Sequence, residues 1–197
     1  HLTPEAIVLA DHWQEIASAG LGQSDPPVPF ETEAYIAKFR AYLARFRGEP
    51  PATVILLAQD AINRIPAGST RFYSALSFLL GMCYLDSNDE DRAIPFFQEA
   101  LRSGMASDDW LNALAAVDRL SYILIRHGSL NQAAALCRQV LEQMARMPGA
   151  GTAPVIGTVL ARLAAVLVEW NQLEEAGPLL ERARGLLALT SLPEGLL

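Results

Sequence analysis

The chain has 197 residues, 51% apolar and 19% charged, which is enough apolar material for one compact domain with a sizeable core and too little charge for an acidic disordered segment. Fifteen basic against 22 acidic side chains give a net charge of −7, which argues against duplex DNA as a direct partner, since a phosphate backbone demands clustered cations. Every cation except Lys38 is an arginine, so an anion contact here takes a planar, two-pronged form.

Cys83 and Cys137 lie in the apolar runs FLLGMCYL and AAALCRQV, the setting of buried free thiols, and point to a reducing, cytoplasmic compartment. The apolar stretches at 53–58 and 164–168 fall far short of the roughly 20 residues that cross a bilayer, so no membrane contact is expected. The opening His1-Leu2-Thr3-Pro4-Glu5 has neither an initiator Met nor a basic-then-apolar signal pattern, and we expect a fragment of a longer protein.

In chain order, residues 4–19 place Ile7, Val8, Trp13, Ile16 and Ala17 at helical spacing behind a Thr-Pro-Glu start, which predicts an amphipathic N-terminal helix. Residues 20–30, GLGQSDPPVPF, read as a linker with extended character. From there the 3.6-residue period continues without strand-like alternation. It predicts helices at about 31–47, 51–65, 70–86, 89–103, 108–127, 130–146, 153–170 and 173–188.

These helices form a repeat. Gly48, Asn88, Gly128 and Asn171 recur at spacings of 40, 40 and 43 residues, and Gly and Asn are the residues that most readily close a helix in the left-handed conformation. Five residues after each comes Thr53, Ala93, Ala133 or Ala176, small enough for two helices to approach closely, followed four residues on by Leu57, Phe97, Cys137 or Leu180. Eight residues before each turn stand Arg40, Leu80, Leu120 and Leu163, so the first copy is the degenerate one, as terminal repeats usually are. Pro95 and Pro178 fall at matching positions in the second helix of their repeats, where each removes one backbone hydrogen bond and is expected to bend the helix.

Residues 74–107 match the tetratricopeptide pattern with Leu80-Gly81, Tyr84, Ala93, Phe97 and Ala100. The third and fourth repeats keep Leu120, Ala133, Leu163, Ala176 and Ala183 but replace the Gly with Ser121 and Ala164. With their longer repeats, YILIRHGSLNQAAALCRQVLEQM at 122–144 and VLVEWNQLEEAGPLLERA at 166–183 resemble the superhelical domain of MalT-like, LuxR-type, ATP-dependent bacterial transcriptional regulators. The resemblance spans most of residues 31–189. It implies an all-α, tetratricopeptide-like α-solenoid of about four helix-turn-helix repeats with an extra N-terminal helix, forming a single domain over residues 1–197. In that family the domain lies between a nucleotide-binding module and a helix-turn-helix, and receives an inducer or a regulatory protein.

No phosphate-cradling G-x-x-x-x-G-K-[ST] and no basic recognition helix occur in this chain, so we expect neither nucleotide nor direct nucleic-acid binding. His1 is terminal, His12 sits beside Trp13 on the N-terminal helix, and His127 precedes Gly128 at a helix end where a cation caps. No metal set, no cofactor site and no nucleophile with a base emerges, and we expect no enzyme. The run Asp86-Ser87-Asn88-Asp89-Glu90-Asp91 lacks the Gly and distal Glu of a calcium loop and reads as a helix cap with first-turn carboxylates.

In such arrays the first helix of each pair lines the concave side. Repeat phase places Tyr35, Lys38, Tyr42 and Arg45 there in the first repeat, Phe78, Met82 and Leu85 in the second, Asp118, Tyr122, Ile125 and Arg126 in the third, and Thr158, Ala161, Ala165 and Glu169 in the fourth. The expected binding residues are Tyr42, Arg45, Phe78, Met82, Asp118, Tyr122, Arg126 and Glu169, with rings for apolar contact and arginines for a carboxylate or hydroxyl-rich ligand. The competing reading makes Tyr42 and Tyr122 packing residues and the charges a solvated ladder. The expected function is sensing of a small-molecule effector or regulatory protein within a transcriptional regulator, the alternative being a free-standing scaffold with a constitutive protein partner.

Overall fold

The computed structural model describes residues 30–65, 69–147 and 153–188. The helix expected over 4–19, the linker over 20–29 and the calls on His1 and His12 lie outside the described residues. The described residues form eight helices and no strand: α1 (Phe30–Phe46), α2 (Pro51–Asn63), α3 (Thr70–Asp86), α4 (Glu90–Ala106), α5 (Trp110–Arg126), α6 (Leu130–Ala145), α7 (Ile156–Glu169) and α8 (Leu173–Ala188). They pair as helix-turn-helix repeats of the α-solenoid class, and the chain divides into two compact units after Asp109. In the first, α1 packs on α2, α2 on α3 and α3 on α4, while α1 also touches α3; α5 to α8 repeat these contacts in the second.

The helix ends follow from the turn residues. Gly48, Asn88, Gly128 and Asn171 have φ of 74°, 56°, 72° and 58°, the left-handed conformation expected of them. The amide that follows each donates to the carbonyl five residues back: Glu49 to Ala44 at 3.0 Å, Asp89 to Tyr84 at 2.9 Å, Ser129 to Leu124 at 2.8 Å and Gln172 to Leu167 at 2.8 Å. This is the Schellman closure, which satisfies carbonyls left without a partner at a helix end. Asp108, at φ 55°, makes a fifth, with the Asp109 amide on Gly104 at 2.9 Å; its short polar side chain tolerates the left-handed region.

Asp89 accepts a hydrogen bond from the Arg92 amide at 3.1 Å and caps α4 with Glu90 and Asp91 in its first turn, the capping role read from the acidic run. The helices α4 and α8 continue through Pro95 and Pro178, both exposed.

The core is built where the repeat pattern places small residues. Ala93, Ala133 and Ala176 are buried, and Phe97 and Cys137 beyond them are sealed at 0% exposure. Leu180, expected in the same role, is instead 45% exposed, because α8 is the last described helix and nothing described packs beyond it. A β-carbon on Gly81 would stand 2.7 Å from the Phe97 ring, so α3 gives up a side chain to seat that ring. In the third repeat Ser121 faces Cys137 at 3.2 Å, a larger residue on the first helix opposite a smaller one on the second. The larger side chain on one helix is thus matched by a smaller one on the other, as dense packing demands.

Candidate functional site

In the first unit the predicted residues are woven into the packing of α1 on α3. The Tyr42 hydroxyl donates to the Ala75 carbonyl at 2.8 Å. Burial, with the Asp109 carboxylate adding to it, pushes the Tyr42 phenol far above its ordinary value, so it stays a donor across the neutral range. Arg45 pairs with Asp86, joining the C-terminal turns of the two helices. Phe78 lies 5.8 Å from the Phe97 ring, and Met82 beside it is half-buried.

Lys38 carries its ammonium 5.1 Å from the ring centres of both Tyr35 and Phe72, which meet edge to face at 4.5 Å. Burial lowers the Lys38 pKa, Asp109 opposes that shift and Arg71 reinforces it.

In the second unit α5 and α7 bring a charged group together. Asp118 is buried at 6% exposure, and an isolated carboxylate there would be strongly penalised. Arg162 from α7 answers it, its Nε donating to Oδ1 at 2.6 Å, while Arg119 approaches Oδ2 at 3.3 Å. The Arg162 guanidinium lies 5.1 Å from the Tyr122 ring centre and that of Arg126 5.6 Å from the same centre, so one ring carries two cations. Beneath them Ser121 contacts Cys137, whose thiol is pushed up by burial and drawn part of the way back by the Ser121 bond. Glu169 is exposed at the last turn of α7.

Asp118, Tyr122 and Arg126 thus share one face of α5 as the repeat phase predicts. Tyr42, Arg45, Phe78 and Met82 belong to the first unit and form a set of their own. The helical period along α7 selects Ala161 and Ala165 and passes over Arg162 between them. The available signal was composition: Arg162 is the only charged residue of α7 before Glu169.

Among the described residues no group of three His, Cys, Asp or Glu is placed to hold a metal ion. A cavity of about 560 Å³ between Trp110, Pro154 and Leu187 is apolar, and the Thr158 hydroxyl at its edge is engaged by the Val155 carbonyl at 2.8 Å.

Paired helices closed by left-handed turns, with small residues at the seams and polar groups on the first helices, define a tetratricopeptide-like repeat domain. Residues 34–188 match the model of the MalT-like TPR region, and the chain belongs to that family. It is similar in fold to the structure described as "Crystal structure of BtubC (BKLC) from P. vanneervenii", with a TM-score of 0.69 and 15% identity over 95% of this chain and 74% of that one. At that identity the likeness is one of fold alone. No curated protein matches the chain.

Proposed function

We propose that this chain is the effector-sensing or protein-interaction domain of a bacterial transcriptional regulator working in the cytoplasm, and that it receives a small molecule or a regulatory protein on the first helices of its repeats. The carrying observation is the Asp118–Arg162 pair with Tyr122 held against it. A charge pair whose carboxylate is buried is a poor source of net stability, whereas charged donors held beside an aromatic ring suit recognition. Membership of the MalT-like TPR family supports the reading.

The test is a thermal-shift screen with sugars, aromatic acids and nucleotides on the intact chain and on Tyr122→Ala and Arg126→Ala variants. A true effector at 100 times its dissociation constant adds about 2.7 kcal/mol to stability, and we expect that gain to shrink in both variants. Stabilisation that persists undiminished in both variants would move the site elsewhere. No stabilisation by any of the three classes would favour the scaffold with a constitutive protein partner.

A further inference from the structure

Resting on that reading of the site, we propose that Arg162 is its anchor and that the ligand presents a planar carboxylate. Arg162 meets Asp118 through Nε, and a guanidinium engaged at Nε directs its two terminal amino groups outward as a second, parallel pair of donors. That edge matches the two oxygens of a carboxylate. Asp118 is buried while the Arg162 side chain retains 29% exposure, so the carboxylate fixes the guanidinium from within and leaves its outer part reachable. The Tyr122 ring against the guanidinium restrains its tilt, and Arg126 over the same ring widens the cationic surface.

Charge selects the ligand further. Arg119 and Arg162 both meet the single carboxylate of Asp118, so the cluster is locally positive in a chain of net charge −7. A locally positive cluster draws an anion, and the planar fork of Arg162 suits the two coplanar oxygens of a carboxylate. Asp118 acts here as a positioning residue, because its negative charge alone would repel the ligand.

That opposition supplies the test. The Arg162 side-chain Nε–H, shielded by its bond to Asp118, is a suitable reporter in ¹H–¹⁵N spectra of the whole chain. Titration with benzoate and succinate monomethyl ester, each paired with its neutral amide at constant ionic strength, is expected to shift that signal saturably for the acids and not for the amides. Arg162→Lys keeps the charge but loses the fork, and should weaken binding at least tenfold. Asp118→Asn, read on Tyr122 and the neighbouring backbone amides, should weaken it about fivefold although it makes the surface more positive; tighter binding would overturn the positioning role. If either single variant fails to fold, the double variant Asp118→Asn/Arg162→Gln replaces the ion pair by amides and should fold without binding the acids. Equal response to acids and amides, or none to either, overturns the proposal. Stabilisation by sugars or nucleotides in the thermal-shift screen, with no response of the Arg162 signal to the acids, would refute the carboxylate assignment and leave the effector-sensing function standing.

Discussion

At neutral pH the Tyr42 hydroxyl bond to the Ala75 carbonyl is worth about 1 kcal/mol, so Tyr42→Phe should lower stability by that amount. The folded phenol keeps its proton above the ordinary value of 10.0, so above that pH the unfolded chain binds fewer protons and the stability supplied by Tyr42 declines as pH rises. Urea unfolding at pH 7, 9 and 11 should therefore show the gap between wild type and Tyr42→Phe narrowing above pH 10; a constant gap would place the phenol in solvent. Gly81 makes a second residue-scale case. A β-carbon there would stand 2.7 Å from the Phe97 ring, so Gly81→Ala should cost about 1–3 kcal/mol by overpacking. Adding Phe97→Leu should recover part of that loss, and strict additivity in the double-mutant cycle would show that the two sites do not press on each other.

The elements were the most legible part of the sequence, because α1, α3, α5 and α7 each end where a residue with access to the left-handed region permits a Schellman closure. Gly48, Asn88, Gly128 and Asn171 announce themselves by residue type. Asp108 adopts the same conformation without announcing it by residue type, since Asp enters that region less readily than Gly. Asp108→Gly and Asn88→Gly should accordingly leave the protein as stable or raise its melting temperature by a few degrees, whereas Asn88→Val should lower it, a β-branched residue being strained at positive φ. The site was legible only along a single helix. The i, i+4 rule gathers Asp118, Tyr122 and Arg126 on α5, but Arg162 meets Asp118 from a helix 44 residues on, through a flexible side chain whose reach no helical period encodes. Leu180 escaped for a related reason: the pattern identifies a seam position but not whether a further helix covers it.

Across the whole molecule a pair of repeats, rather than one repeat, is the recurring block. Gly48 and Gly128 close the first helix of the first repeat in each unit, and Asn88 and Asn171 that of the second; Tyr42 and Tyr122 recur in the first repeat, Pro95 and Pro178 in the second. The division after Asp109 falls at the same boundary. Repeat arrays derive their stability from neighbouring contacts, so native-state hydrogen exchange under rising denaturant should resolve two blocks of protected amides that meet near residue 109. A single opening that takes all eight helices together would contradict the division. At this scale, too, the charge of −7 predicts no measurable retardation of duplex DNA in a mobility assay at physiological salt; salt-sensitive binding would reveal segregated cations.

Lys38, seated against Tyr35 and Phe72, is the chain's sole lysine. Its ε-amino group is thus the one side-chain amine for an amine-directed dye, told apart from the α-amino group by peptide mapping, and attachment there needs no engineered cysteine. Because the rings partly shield the nitrogen, the labelling rate gauges how often that side chain swings away from its aromatic seat, turning a packing detail into a clock for motion on the first helix.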